Sequence, residues 1–338
     1  MRAQTIWLLI LLSATVIALL STPVARAVAL RIGMVDRPAP RKLHTRPIPL
    51  LGGAALYLAV LIALLVFEDR YNLPQLVGVL VGATAISFLG IWDDRWGLRP
   101  LIKLMGQIAV AGIVMATGVM VSLFPWPVLN VLVTLLWLVG ITNAFNLIDN
   151  MDGLSGGIGA VSAAFFLLLA ALNGQYLVGA LSAAVLGACI GFLRYNFNPA
   201  SIFMGDAGSM FLGFLMAVLG IKLRFPHNVA FVTWMVPVLV LGIPIFDTVL
   251  VVLSRLRRGL NPLTSPGKDH LSHRLARAGM TYREAVLTLY LAQAALGALA
   301  LFIAMAGAVE SYLIGGLVGG TALWALWRLE RPPFWGSS

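Results

Sequence analysis

Asn143-Ala144-Phe145-Asn146-Leu147-Ile148-Asp149-Asn150-Met151-Asp152-Gly153-Leu154-Ser155-Gly156-Gly157 leaves one strongly apolar segment, 127–145, and enters another, 157–172. Two apolar stretches of about 20 residues joined by a short polar turn predict two membrane-crossing helices with the acids gathered at one surface. The glycines of the turn bring backbone N–H groups close to any ligand held there. The plain alternative is a capped helix end, with Asp152 or Ser155 as the cap and the glycines as turn residues, and the two readings are compatible.

The same alternation runs through the chain. It has 338 residues, of which 60% are hydrophobic and 11% charged, and its mean hydropathy is +0.95. That composition excludes an ordinary soluble domain. Hydropathy places about eleven spans, with ten as the lower count, at 5–25, 50–67, 74–91, 104–123, 127–145, 157–172, 176–193, 208–223, 229–255, 284–306 and 310–328. The expected fold is therefore all-α, a polytopic integral membrane helical bundle forming a single domain over 1–338. Residues 1–27 imitate a secretory signal, with Ala25-Arg26-Ala27 resembling a cleavage site. Cleavage would strand the following arginines on the wrong side, so the segment is read as a first helix. Cys189 is the only cysteine, which excludes an internal disulfide or a thiolate metal cage.

Basic residues remain on the cytoplasmic side of a membrane. Arg31, Arg37, Arg41, Lys42 and Arg46 fall in one loop, Arg95, Arg99 and Lys103 in a second, Arg194 in another, and Arg255, Arg257, Arg258, Lys268, Arg274, Arg277 and Arg283 in the richest. Only Arg2, Arg70, Lys222 and Arg224 oppose them. The N-terminus is expected outside and these loops inside, in a multi-pass protein of the inner, cytoplasmic membrane. The net charge of +10 is then cytoplasmic surface facing anionic lipid; nothing points to nucleic acid.

The acidic motifs share that cytoplasmic side. Besides Asp149 and Asp152 they are Asp93-Asp94 and Phe203-Met204-Gly205-Asp206. Adjacent like charges at a membrane boundary repel unless a cation relieves them, so Asp93 and Asp94 call for a metal, Lys103 or Arg95. Short carboxylates suit Mg²⁺, which takes one or two of them together with phosphate oxygens. For any single Asp the competing reading is a polar loop residue. His270 and His273 are three apart, with Arg274 adjacent; on a helix both imidazoles would share a face. Zinc lacks further ligands at suitable spacing, and two imidazoles with a guanidinium suit a pyrophosphate better, against the simpler reading of a basic interfacial helix. His44 and His227 carry less information. Asp247 falls within a span, where a charge costs ~2.5–3.5 kcal/mol at the centre. Bracing and function are both open for it.

In these residues the chain closely resembles the polyprenyl-phosphate N-acetylhexosamine-1-phosphate transferases, from Pro49-Leu50-Leu51-Gly52-Gly53 to His270-Leu271-Ser272-His273-Arg274. The resemblance implies transfer of a sugar-1-phosphate from a UDP-N-acetylhexosamine to a polyprenyl phosphate with release of UMP. It also implies a requirement for Mg²⁺, with Mn²⁺ as a substitute. Asp206 then looks like the principal metal ligand, supported by Asn146. Asp93 and Asp94 match the paired catalytic aspartates, of which Asp93 is expected to act as base for direct attack by the lipid phosphate. Phe203 resembles the aromatic that stacks on uracil. Asp149, Asp152, Asn196, Lys103, His270, His273 and Arg274 resemble substrate contacts. A homodimer is compatible with the resemblance. The muramoyl-pentapeptide branch carries consecutive histidines in the last cytoplasmic loop; the spaced pair here favours GlcNAc. The lysine that some members carry three residues after the paired aspartates is absent, so Lys103 must supply any nearby ammonium. An ion-coupled transporter would instead need several mid-membrane ionisable residues and broken helices in paired halves.

Overall fold

The computed structural model describes residues 3–38, 46–66, 73–225, 230–262, 264–265 and 267–334. Arg2, Arg41, Lys42, His44, Arg70 and His227 lie outside the described residues. By contacts the chain divides into two compact units, residues 1–223 and 224–338.

The first unit contains α1 (Ala3–Ile32), α2 (Gly52–Val66), α3 (Leu73–Trp96), α4 (Pro100–Ala116), α5 (Pro127–Ile148), α6 (Leu154–Leu172), α7 (Tyr176–Asn196) and α8 (Gly205–Lys222). A two-residue antiparallel ladder, β1 (Val35–Asp36) against β2 (Ile48–Pro49), pairs Val35 with Pro49. The central element is α8, which packs against α2, α3, α5, α6 and α7. It is buried on every face because small residues alternate with large apolar ones, as expected of a helix inside a bundle. A Cβ on Gly53 of α2 would stand 2.2 Å from the Gly208 backbone nitrogen, so α2 and α8 touch backbone to backbone. On the other flank, Ile6, Ile10, Ala14, Ala18, Ala25 and Ala29 line the buried face of α1, which packs along α7 and α2.

The second unit contains α9 (Ala230–Val240), α10 (Gly242–Arg257), α11 (Leu271–Arg277), α12 (Tyr282–Met305) and α13 (Ala308–Leu329). The single span expected over 229–255 is broken: α9 and α10 meet at 80°. Pro237 lies inside α9 and Pro244 in the first turn of α10, and a proline offers no N–H to continue a helical ladder. The backbone groups freed at the break are answered by the buried Gln293 of α12. Its Oε1 accepts from Ile243 N at 3.1 Å, and its Nε2 donates to Val240 O at 2.9 Å and to Leu239 O at 3.3 Å. At lipid depth such groups need protein partners.

Among the described residues eight helices are long and apolar enough to cross a membrane, or nine if the bent pair is one span. Two further apolar helices, α2 and α4, are shorter. The protein is thus a polytopic, helical membrane protein.

Candidate active site

Four helix ends of the first unit converge. Asp93 and Asp94 sit in the last turn of α3, Lys103 in the first turns of α4, Asn146 in the last turn of α5 and Asp206 in the first turn of α8. Lys103 lies at the centre. Its Nζ is 2.8 Å from Asp93 Oδ2 and 2.6 Å from Asp206 Oδ2, and donates to Asn146 Oδ1 at 2.9 Å. Asn146 Nδ2 in turn donates to Asp206 Oδ1 and to Ser209 Oγ, each at 2.9 Å. One turn deeper, Gln107 of α4 and Asn143 of α5 exchange side-chain amide bonds of 3.2 and 2.6 Å, clamping the two helices beneath Lys103 and Asn146.

The paired aspartates do different things. Asp93 faces the ammonium and also accepts from Leu98 N at 2.7 Å. Asp94 accepts from Asp206 N at 2.9 Å and from Ala207 N at 3.1 Å. It therefore caps α8 from α3, supplying what Met204, at the cap position, does not. Gly205 makes this possible. Its φ is +69°, and a Cβ there would fall 2.5 Å from Asp94 Oδ2 and 2.9 Å from Leu50 O. The two carboxylates thus take different partners, Lys103 for one and backbone N–H groups for the other.

Asp149 is the residue that ends α5. Burial, and then the charges of Asp206, Asp94 and Asp152, push its carboxyl well above the usual carboxylate range. Asp152 and Asn196 brace loops. Asp152 Oδ2 accepts from Asn198 Nδ2 at 3.0 Å and Ala200 N at 2.9 Å, while the buried Asn196 accepts from Gly153 N at 3.1 Å and donates to Ile202 O at 2.9 Å. Together they tie the 149–153 turn to the segment that delivers Phe203. Phe203 is fixed by its backbone, its N donating to Pro49 O at 2.8 Å and its O accepting from Gly52 N at 3.0 Å, with its ring half-buried.

The second unit holds a separate polar network. His270 precedes α11 with extended backbone, so the two histidines do not share one helix, although their rings lie 6.3 Å apart. Asp247 Oδ2 is 2.7 Å from His270 Nδ1, and Asp247 Oδ1 accepts from Leu271 N at 2.6 Å. Burial, then the neighbouring basic groups His270, Lys268 and Arg277, push His273 down to about 4, so its ring is neutral near pH 7. Arg274, expected to contact substrate, is instead fully buried. It donates to Asp269 O, Leu329 O, Ser254 Oγ and Glu330 Oε1 at 2.7–3.0 Å, and so locks α10, α11 and the end of α13 together. Asp269 accepts from Arg255 and Arg258; burial opposes its charge, but the two arginines outweigh that and hold its carboxyl below the usual range.

Gln107, Ser209 and Gln293 were not singled out from sequence. Each is a lone polar residue in an apolar run, and only its partner reveals its use. Among the described residues no group of three or more His, Cys, Asp or Glu is placed to hold a metal. Yet the oxygens of Asp93, Asn146 and Asp206 already surround one cation, the Lys103 ammonium, and this all-oxygen set suits a hard divalent ion that completes its shell with phosphate and water.

A model of glycosyl transferase family 4 matches residues 76–224, the stretch that carries Asp93 through Asp206. The chain is 38% identical over 284 residues to a probable undecaprenyl-phosphate N-acetylglucosaminyl 1-phosphate transferase of Bacillus subtilis, covering 81% of this chain and 78% of that protein. It is 34% identical over 316 residues to a decaprenyl-phosphate N-acetylglucosaminephosphotransferase of Mycolicibacterium smegmatis, covering 83% and 78%. It is 30% identical over 334 residues to an undecaprenyl-phosphate alpha-N-acetylglucosaminyl 1-phosphate transferase of Yersinia pestis, covering 91% and 89%. With the converging polar side chains of α3, α4, α5 and α8, these likenesses place the chain in glycosyl transferase family 4, among the polyprenyl-phosphate N-acetylhexosamine-1-phosphate transferases.

Proposed function

We propose that the protein transfers GlcNAc-1-phosphate from UDP-GlcNAc to a polyprenyl phosphate at the cytoplasmic face of the bacterial inner membrane, as one transferase domain of about eleven spans. The observation that carries this reading is the oxygen-lined cation position between Asp93, Asn146 and Asp206. It matches what a diphosphate donor needs, a place where negative charge is met by positive charge beside a carboxylate able to take a proton.

A bound Mg²⁺, or Mn²⁺, would be held by Asp206 and Asn146 and would neutralise charge on the donor diphosphate. Asp93 takes any proton remaining on the lipid phosphate. The freed phosphate oxygen attacks the β-phosphorus of the donor, the bond from that phosphorus to the bridging oxygen breaks, and UMP leaves with the bridging oxygen. Lys103 balances the charge that moves onto the leaving group. Asp94, with both oxygens committed to α8, orients Asp206 and is not the nucleophile. Phe203 stacks on uracil, Asp149 lies on the donor side, and Asp152 and Asn196 hold the loops around them. His270 accepts from a hydroxyl of the donor's sugar, and His273 serves as a neutral hydrogen-bonding partner. The separated histidines favour GlcNAc over the muramoyl-pentapeptide donor.

The test is Asp206→Asn, assayed for UMP release from purified enzyme over a Mg²⁺ titration. Turnover should vanish at every metal concentration while the thermal transition stays within a few degrees of wild type, because an amide is a far weaker ligand than a carboxylate. Wild-type turnover in the variant would overturn the assignment.

A further inference from the structure

Asp247 is an ionisable residue inside an apolar helix, and the reaction above makes no use of it. It is 2% exposed, on α10, one and a half turns from the break with α9. Burying a carboxylate there is costly unless each oxygen is answered, and each is. Oδ1 accepts from Leu271 N at 2.6 Å, and Oδ2 lies 2.7 Å from Nδ1 of His270, itself 5% exposed. The first bond pins the start of α11. The second has chemical content, because a carboxylate facing one ring nitrogen settles which nitrogen carries the proton and in which plane the ring lies. His270 has extended backbone and lies outside the helix, so the helix does not orient it. Its ring is held by Asp247 across 23 residues of sequence.

We infer that Asp247 is a positioning residue for His270: it keeps the proton on Nδ1, fixes the imidazole plane, and so presents Nε2 as an acceptor to a hydroxyl of the donor's sugar. This rests on the reading of His270 as a substrate contact. It accounts for a buried acid that topology alone would select against, and it gives the two oxygens separable tasks. Asp247→Asn separates them, since the amide oxygen can still accept from Leu271 N while the amide N–H₂ turned to Nδ1 requires a bare Nδ1 and moves the proton to Nε2.

The experiment uses the full-length protein in detergent with ¹⁵N-labelled histidine, the His270 signals being identified by their loss in His270→Gln. Wild type should show a protonated Nδ1. Asp247→Asn should shift the ring to the Nε2-protonated form and lower kcat/KM for UDP-GlcNAc roughly 10–100-fold, by analogy with the loss of a metal-bound histidine's outer partner, with the lipid acceptor's KM unchanged. The Asp247→Asn/His270→Gln double variant should be no slower than His270→Gln alone, because Asp247 acts through the ring.

A bare Nδ1 in wild type overturns the inference even if Asp247→Asn fails to fold. So does a folded Asp247→Asn with unchanged His270 signals, or a double variant whose losses multiply. A slow His270→Gln beside a fast Asp247→Asn defeats the positioning role alone. Full turnover in His270→Gln instead defeats the reading of His270 as a substrate contact.

Discussion

Where α3, α4, α5 and α8 meet, Asp93 and Asp206 hold one ammonium, that of Lys103, and Asp94 and Asp149 lie within electrostatic reach of Asp206. Around α10 and α11, Arg255, Arg258 and Arg274 are matched by Asp269 and Glu330, while Asp247 holds His270. Both regions bury charge, and both were conspicuous in the sequence. They differ in what is left over. The first gathers more carboxyl groups than its one cation pairs with, which is a demand for a ligand. In the second, Arg255, Arg258, Arg274, Asp247 and Asp269 are all held in protein-to-protein bonds, which is how a structural junction looks. A charged residue within a motif is thus a contact or a brace according to how much of its bonding capacity the fold has already used.

If that contrast holds, truncating Arg274 should harm the fold before it harms chemistry. Arg274→Met strands Glu330 and the Leu329 carbonyl, and removing one member of a buried ion pair costs about 3–5 kcal/mol. Thermal unfolding in detergent should show the loss, and Arg274→Lys should recover little of it because an ammonium cannot replace the guanidinium fork. A folded Arg274→Met that has lost only donor affinity would return the residue to substrate contact.

Phe203→Ala lies on the opposite side of the contrast. Its backbone bonds to Pro49 and Gly52 survive truncation, so stability should hold while the donor's KM rises. Base–aromatic stacking contributes ~1–3 kcal/mol, roughly a five- to 150-fold effect. Equal changes for donor and lipid acceptor would make it a packing residue.

Asp149 predicts a smaller effect of the opposite sign on stability. Its carboxyl is held above its ordinary 3.8 in the folded state, so ionisation favours the unfolded chain and stability falls as pH rises above that value. Asp149→Asn should therefore stabilise the metal-free protein, by on the order of 1 kcal/mol or a few degrees, while slowing turnover. A lower melting temperature at neutral pH would contradict it. His273 should give the smallest signal. Its folded value of about 4 lies below the ordinary 6.5, so its contribution is complete above pH 6.5 and is lost as pH falls toward 4. The slope of melting temperature between pH 7 and 5 should flatten in His273→Gln.

Much of this was readable beforehand. Apolar length located the helices, and residue type located the acid cluster, since Asp-Asp and Asn146 with Asp206 carry their chemistry in the side chains. What stayed hidden depends on partners far along the chain. Asp94 caps a helix 112 residues away, so nothing near it distinguishes a cap from a nucleophile. Arg274 suits a pyrophosphate and a buried carbonyl equally well, and only the end of α13, 55 residues on, selects between them. The break at 241–242 was masked because hydropathy runs through it without a dip, although Pro237, Gly242 and Pro244 were in view.

That break has a consequence for the barrier the protein sits in. Open backbone groups within a membrane draw water toward them, and a file of water is a path for protons. By answering two carbonyls and an N–H with one amide side chain, Gln293 lessens the bend's demand for water. A leucine in its place would fit the hydrocarbon and satisfy any hydropathy scale, yet withdraw three hydrogen bonds from the bend. One glutamine therefore bears on the barrier as well as on the joint between two helices.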